Sequence, residues 1–135
     1  MAKIIINGTE LTGEVYGTKQ HYQNAYRDIL TFKIDAEGRS FDATVALFTG
    51  ADEIVVEDTR VETIEENGEL VTREIAESYV YADYTVPVKR AIEREEVSPE
   101  TPNSPAVYKD VFVISLAQMT YMEKQLAQLM RLLQG

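Results

Sequence analysis

Ile29-Leu30-Thr31-Phe32-Lys33-Ile34 is the stretch on which the fold turns. Leu30, Phe32 and Ile34 fall on one side of an extended chain and Thr31 and Lys33 on the other. That period of two predicts a strand with one buried face. Upstream, Ile4-Ile5-Ile6 runs into Asn7-Gly8, a strong hairpin-turn signal, and residues 10–16 return as a second strand with Leu11 and Val15 on its apolar positions. Residues 17–28 are polar and tyrosine-bearing and read as a loop. Downstream, Glu37-Gly38 marks a turn, and residues 40–50 predict a helix in preference to a strand, the rival reading that β-branched Thr44 and Val45 offer. Ser40 caps it, Asp42 suits the dipole of its first turn, Phe41, Val45, Leu47 and Phe48 share an inward stripe, and Gly50 follows the end.

Past this helix the strand signals resume. Residues 53–57 surround Ile54-Val55-Val56, and residues 61–65 and 69–75 flank a second hairpin turn, Asn67-Gly68. Residues 78–88 alternate, with Val80, Ala82, Tyr84 and Val86 opposite Tyr79, Tyr81, Asp83 and Thr85. Pro99, Pro102 and Pro105 make residues 97–106 an exposed loop, and residues 107–114 form a last strand. The expectation is an α+β fold: a mainly antiparallel sheet of about six strands, one short helix and a C-terminal amphipathic helix. Residues 1–116 then form a β-rich globular domain and residues 117–135 a coiled-coil-like helix.

The chain has 135 residues, 44% of them hydrophobic and 27% charged, which suits one folded domain and not a disordered one. It has no cysteine, which excludes disulfides and thiolate metal sites. The three isoleucines near the start are too short a run for a signal peptide or a spanning helix, so the expected location is the cytoplasm, with any release by a route other than secretion, such as cell lysis. A net charge of −10 argues against direct contact with nucleic acid, and no basic amphipathic segment suits a membrane.

The segment from about Leu116 to Leu133 contains no Gly or Pro. Met119, Met122, Leu126, Leu129 and Leu133 are spaced three, four, three and four, the seam of a coiled coil. Leu116, Met130 and Leu132 widen the stripe. Such a short helix is marginal alone in water and needs a surface. One reading packs it on the domain's own sheet. The other makes it an oligomerisation or docking element, and its place beyond a β-rich domain favours that second reading.

No catalytic, cofactor-binding or metal-binding constellation is legible. His21 is the only histidine, without a second His, a Cys or a helically spaced Glu, and no phosphate-loop, nucleophile-elbow or zinc motif occurs. The expectation is a non-enzyme without cofactors. The loop residues His21, Tyr22, Asn24, Tyr26 and Arg27 suit a contact surface, although a solvated loop with nothing bound is the simpler explanation. Residues 52–77 hold ten carboxylates against Arg60 and Arg73. A water-facing hairpin accounts for them, and so would cation binding or mimicry of a nucleic-acid backbone.

Lys3-Ile4-Ile5-Ile6-Asn7-Gly8, residues 41–48, Tyr81-Ala82-Asp83-Tyr84-Thr85-Val86 and the leucine-rich terminal helix together resemble small proteins of the tail and baseplate regions of phages and prophages of Gram-positive bacteria. The resemblance is one of layout over most of the chain, and it carries over no catalytic residue. It implies a structural or assembly protein, used in multiple copies, whose partners are itself and other phage structural proteins. The alternative is an acidic inhibitor that mimics nucleic acid to block a host-defence nuclease, of the anti-restriction or anti-CRISPR type.

Overall fold

A computed structural model describes residues 2–134. Its elements, in chain order, are β1 (Ala2–Ile6), β2 (Thr9–Tyr22), β3 (Ala25–Asp35), α1 (Phe41–Phe48), β4 (Glu53–Glu66), β5 (Glu69–Ala82), β6 (Val86–Ser98), β7 (Val107–Ala117) and α2 (Tyr121–Gln134). The strands form one sheet in the order β5-β4-β1-β2-β3-β7-β6, with every neighbouring pair antiparallel. The antiparallel α+β class is as expected, but the sheet has seven strands instead of about six.

The additional strand and several boundaries come from long hairpins. Residues 17–28 are not a loop: β2 and β3 continue through them to a tight turn at Gln23-Asn24. The two short strands expected at 53–57 and 61–65 are one strand, β4, paired along its whole length with β5. Residues 78–88 are divided by a break at 83–85, after which β6 begins, a strand whose charged run from Lys89 to Glu96 hides any alternation. Val80 lies 62% exposed, whereas Tyr81 packs against the core.

The core lies on one face of the sheet. Ile4 and Ile6 of β1, Leu11 of β2, Leu30, Phe32 and Ile34 of β3, Ile54 and Val56 of β4, and Phe112, Ile114 and Leu116 of β7 are buried together. The Leu30/Phe32/Ile34 alternation therefore points inward as read. Helix α1 covers this face: the Phe48 ring meets Phe32 at 4.9 Å and Phe41 meets Phe112 at 5.3 Å. The Ser40 hydroxyl accepts from the Ala43 N–H at 3.1 Å, the expected cap, and Gly50 takes a positive φ of 73°. The opposite face is closed only near β3 and β7, where Thr31 and Ser115 hydroxyls share a 2.8 Å hydrogen bond and Lys109 pairs with Asp35 at 3.0 Å.

The two outermost strands, β5 and β6, are joined by only residues 83–85. In a flat sheet seven strands wide they would lie roughly 29 Å apart, at about 4.8 Å per strand. The four peptide steps from Ala82 to Val86 reach at most about 15 Å. The sheet must therefore coil until its margins approach. Hydrogen bonds at the junction record this: Asp83 N–H donates to Asp52 O at 3.1 Å, on the β4 side, and Met119 N–H donates to Asp83 O at 2.9 Å, on the β7 side.

Candidate association surface

Helix α2 leaves the end of β7 through Gln118, Met119 and Thr120, and its start is fixed by an interlocking set of polar contacts. Thr120 and Glu123 form a capping box: Thr120 Oγ1 accepts from the Glu123 N–H at 3.2 Å, and Glu123 Oε1 accepts from the Thr120 N–H at 2.9 Å. The same carboxylate is gripped by the guanidinium of Arg27, with Nη2 donating to Oε2 at 2.9 Å and Nη1 to Oε1. Arg27 also donates to the carbonyls of Tyr22 (2.8 Å), Gln23 (3.2 Å) and Gln118 (3.2 Å). All five of its N–H groups are thus engaged. This arrangement lets a charged side chain sit almost wholly buried at the hairpin end.

These bonds set the electrostatics. The Arg27 guanidinium, helped by the Thr120 N–H, pulls the Glu123 carboxyl from its ordinary 4.5 down to about 2. Arg27 is pushed up by the same hydrogen bonds, against the opposing effect of burial. Lys124 pairs with Asp83 at 2.8 Å and Arg131 with Asp52 at 3.9 Å. Glu123, Lys124, Ala127 and Arg131 consequently define the side of α2 that faces its own domain, and all but Ala127 are charged.

The apolar seam lies on the other side. Met122 is 75% exposed, Leu126 57%, Leu129 54% and Leu133 79%, and no residue of α2 is buried. Tyr121, Met130 and Leu132 are exposed beside them. Two expectations need correction. Met119 belongs to the connection before α2, so it is not on the helical seam, and Leu116 is a buried residue of β7 and does not widen the stripe.

The residues read as a contact loop occupy the β2–β3 hairpin end instead. His21 and Tyr26 face each other across the ladder with ring centres 5.0 Å apart, and Tyr26 and Asn24 are exposed. Tyr22 donates its hydroxyl proton to Pro87 O at 3.0 Å. Arg27 is corrected from a contact residue to a buried tie. A cavity of about 350 Å³ brings Tyr26, Met119 and Tyr121 together, so this hairpin end and the start of α2 form one continuous surface. The tie itself had a signal in the sequence, the Thr120-x-x-Glu123 capping-box spacing, but nothing local assigns Arg27 to it.

Among the described residues no group of three or more His, Asp or Glu side chains is placed to hold a metal ion, and no helix is long and apolar enough to cross a membrane. No family model, curated protein or solved structure matches this chain.

Proposed function

We propose that this chain is a non-enzymatic assembly protein that associates with further copies of itself through α2. The observation that carries the reading is the orientation of that helix, charged side inward and apolar side outward. A helix of 14 residues is marginal alone in water, and this one has no residue buried against its own domain. Covering Met122, Leu126, Leu129 and Leu133 contributes roughly 1.5–3 kcal/mol for each side chain fully buried.

Charge favours a second copy as the cover. The chain carries −10 overall, and like-charged bodies repel at most surfaces. Around the seam, Gln125, Met130 and Leu132 are uncharged, while Glu123 is held by Arg27 on the far side. Two copies can meet there without opposing carboxylates. The added width from Met130 and Leu132 suits a bundle of more than two helices.

The setting we propose is the tail or baseplate of a phage, with other structural proteins as neighbours and the virion or host cytoplasm as location; the layout resemblance supports this part. The nucleic-acid-mimic alternative draws on the acidic hairpin. Strand alternation divides those carboxylates between both faces of β4 and β5, which supports a solvated hairpin better than one continuous charged stripe.

Light scattering at micromolar concentration tests the association. The intact chain is expected as an oligomer, and Leu126→Glu with Leu129→Glu as a monomer with an unchanged sheet by circular dichroism. A strictly monomeric intact chain overturns the reading. Enrichment of the protein in purified virions tests the setting, whereas salt-sensitive capture of a nuclease would favour the mimic.

A further inference from the structure

A second surface arises from the sheet register. Strand β1 separates β2 from β4 along a short length: Ala2 lies opposite Gly13, and Lys3 opposite Glu57. Both neighbours run on past it in the same direction. Over residues 14–22 β2 is paired with β3, and over residues 58–66 β4 is paired with β5, but neither has a described partner on the edge facing the other. Two open backbone edges, each nine residues long, thus begin on either side of the strand position where β1 ends. A cavity of about 390 Å³ opens at its head, bounded by Ala2, Val15 and Tyr16 on one side and Asp58, Tyr79 and Tyr81 on the other.

We propose that this cleft docks an extended, lysine- or arginine-bearing peptide segment of a partner protein, added as a strand between β2 and β4. Open edges on both sides supply main-chain donors and acceptors to such a segment, the mode of recognition by strand addition. Its length accommodates up to nine residues at about 3.3 Å each. The charge of the occupant follows from the walls. Glu14, Asp58, Glu62, Glu65 and Glu66 line the two edges. Of the cations beside them, Lys19 pairs with Asp28, Arg60 with Glu77 and Lys3 with Glu10, while Lys33 on β3 and Arg73 on β5 stand opposite Glu14 and Glu62, so carboxylates still outnumber the remaining cations along the two edges. Tyr79 and Tyr81 present rings on which a lysine or arginine side chain can lie, as Lys33 of this chain already does over the Tyr16 ring at 5.6 Å.

A second copy of this chain does not supply the segment. Its most basic strand stretch, at Lys89-Arg90 in β6, already has one edge paired with β7. The cleft requires a strand free at both edges. The proposed occupant is an unpaired segment of a different protein, and this surface is separate from the seam of α2.

The test uses the full chain and a fluorescein-labelled octapeptide of alternating lysine and valine. Saturable binding by anisotropy is expected, with amide exchange slowed in residues 14–22 and 58–66. Glu14→Lys combined with Asp58→Lys places two exposed cations at the head of the cleft. That variant is expected to weaken binding tenfold or more while its thermal melt is unchanged. An octapeptide of alternating lysine and glycine has the same charge but little strand preference, and it is expected to bind at least tenfold more weakly. Equal binding of the two peptides, protection on the outer edges of β5 or β6, an unaffected double variant, or no binding at millimolar peptide would each overturn the proposal.

Discussion

Single residues determine whether the strands can meet as they do, and Gly13 is the sharpest case. A Cβ built on it would lie 2.1 Å from the carbonyl oxygen of Lys33 on β3. Backbone, not a flexible side chain, stands in the way. Gly13→Ala must therefore push β2 away from β3 at the point where β2 leaves β1 for the open cleft. We expect a loss of about 2–3 kcal/mol, in line with forced overpacking of a well-packed interior, read as a lower urea midpoint with an unchanged slope. Nothing in the sequence around Gly13 announces this contact, because it depends on a strand twenty residues away. Turns are legible only where residue type and backbone agree. Asn7-Gly8 and Asn67-Gly68 both adopt positive φ, and both were recognisable. Gln23-Asn24 does the same, at 49° and 63°, without a glycine. That missing signal is why a continuous hairpin read as a loop and why Arg27, on the strand beyond, read as a surface residue.

At the scale of elements, α1 and α2 show opposite relations between sequence and environment. Helix α1 is short, capped by Ser40 and inward-facing through Phe41 and Phe48, and all of this was readable because its stripe meets its own sheet. The seam of α2 was equally readable, but not its direction. Which side faces the domain is decided by Arg27, Asp83 and Asp52, residues distant in sequence from the helix. The Arg27–Glu123 tie gives this arrangement a pH dependence. The folded carboxyl titrates near 2, below its ordinary 4.5, so its contribution is fully present above pH 4.5 and is lost as pH falls through 2. Glu123→Gln keeps a side-chain acceptor for the cap but removes the charge. The variant's melting temperature is expected to lie below that of the native chain at pH 7. The gap should narrow below pH 4.5 and close near pH 2. A gap that stays constant across this range would show that the charge of Glu123 does not hold the helix.

For the molecule as a whole, the feature hardest to read was the coiling of the sheet, since it follows from the strand order and not from any local pattern. A three-residue connection between the two outermost strands has two physical explanations. Either the short link pulls the margins together, or the core bends the sheet and the link merely spans what remains. The buried residues favour the second. Side chains from β1, β3, β4 and β7 converge with Phe48 of α1 on one face, and Asp83 is bonded to both margins independently of the link beyond it. Inserting six Gly and Ser residues after Thr85 separates these accounts while leaving Asp83 and its partners in place. If the core dictates the curvature, the insertion raises only the entropy of closing the loop, which from three to nine residues is about 1 kcal/mol. The urea midpoint should then fall slightly with its slope unchanged, because the surface exposed on unfolding is the same. If the link enforces the curvature, the margins separate, the hydrogen bonds from Asp83 to Asp52 and Met119 break, and α2 loses the frame that turns its apolar side outward. In that case the midpoint should fall by well over this amount, the slope should change, and oligomers should dissociate in the same step.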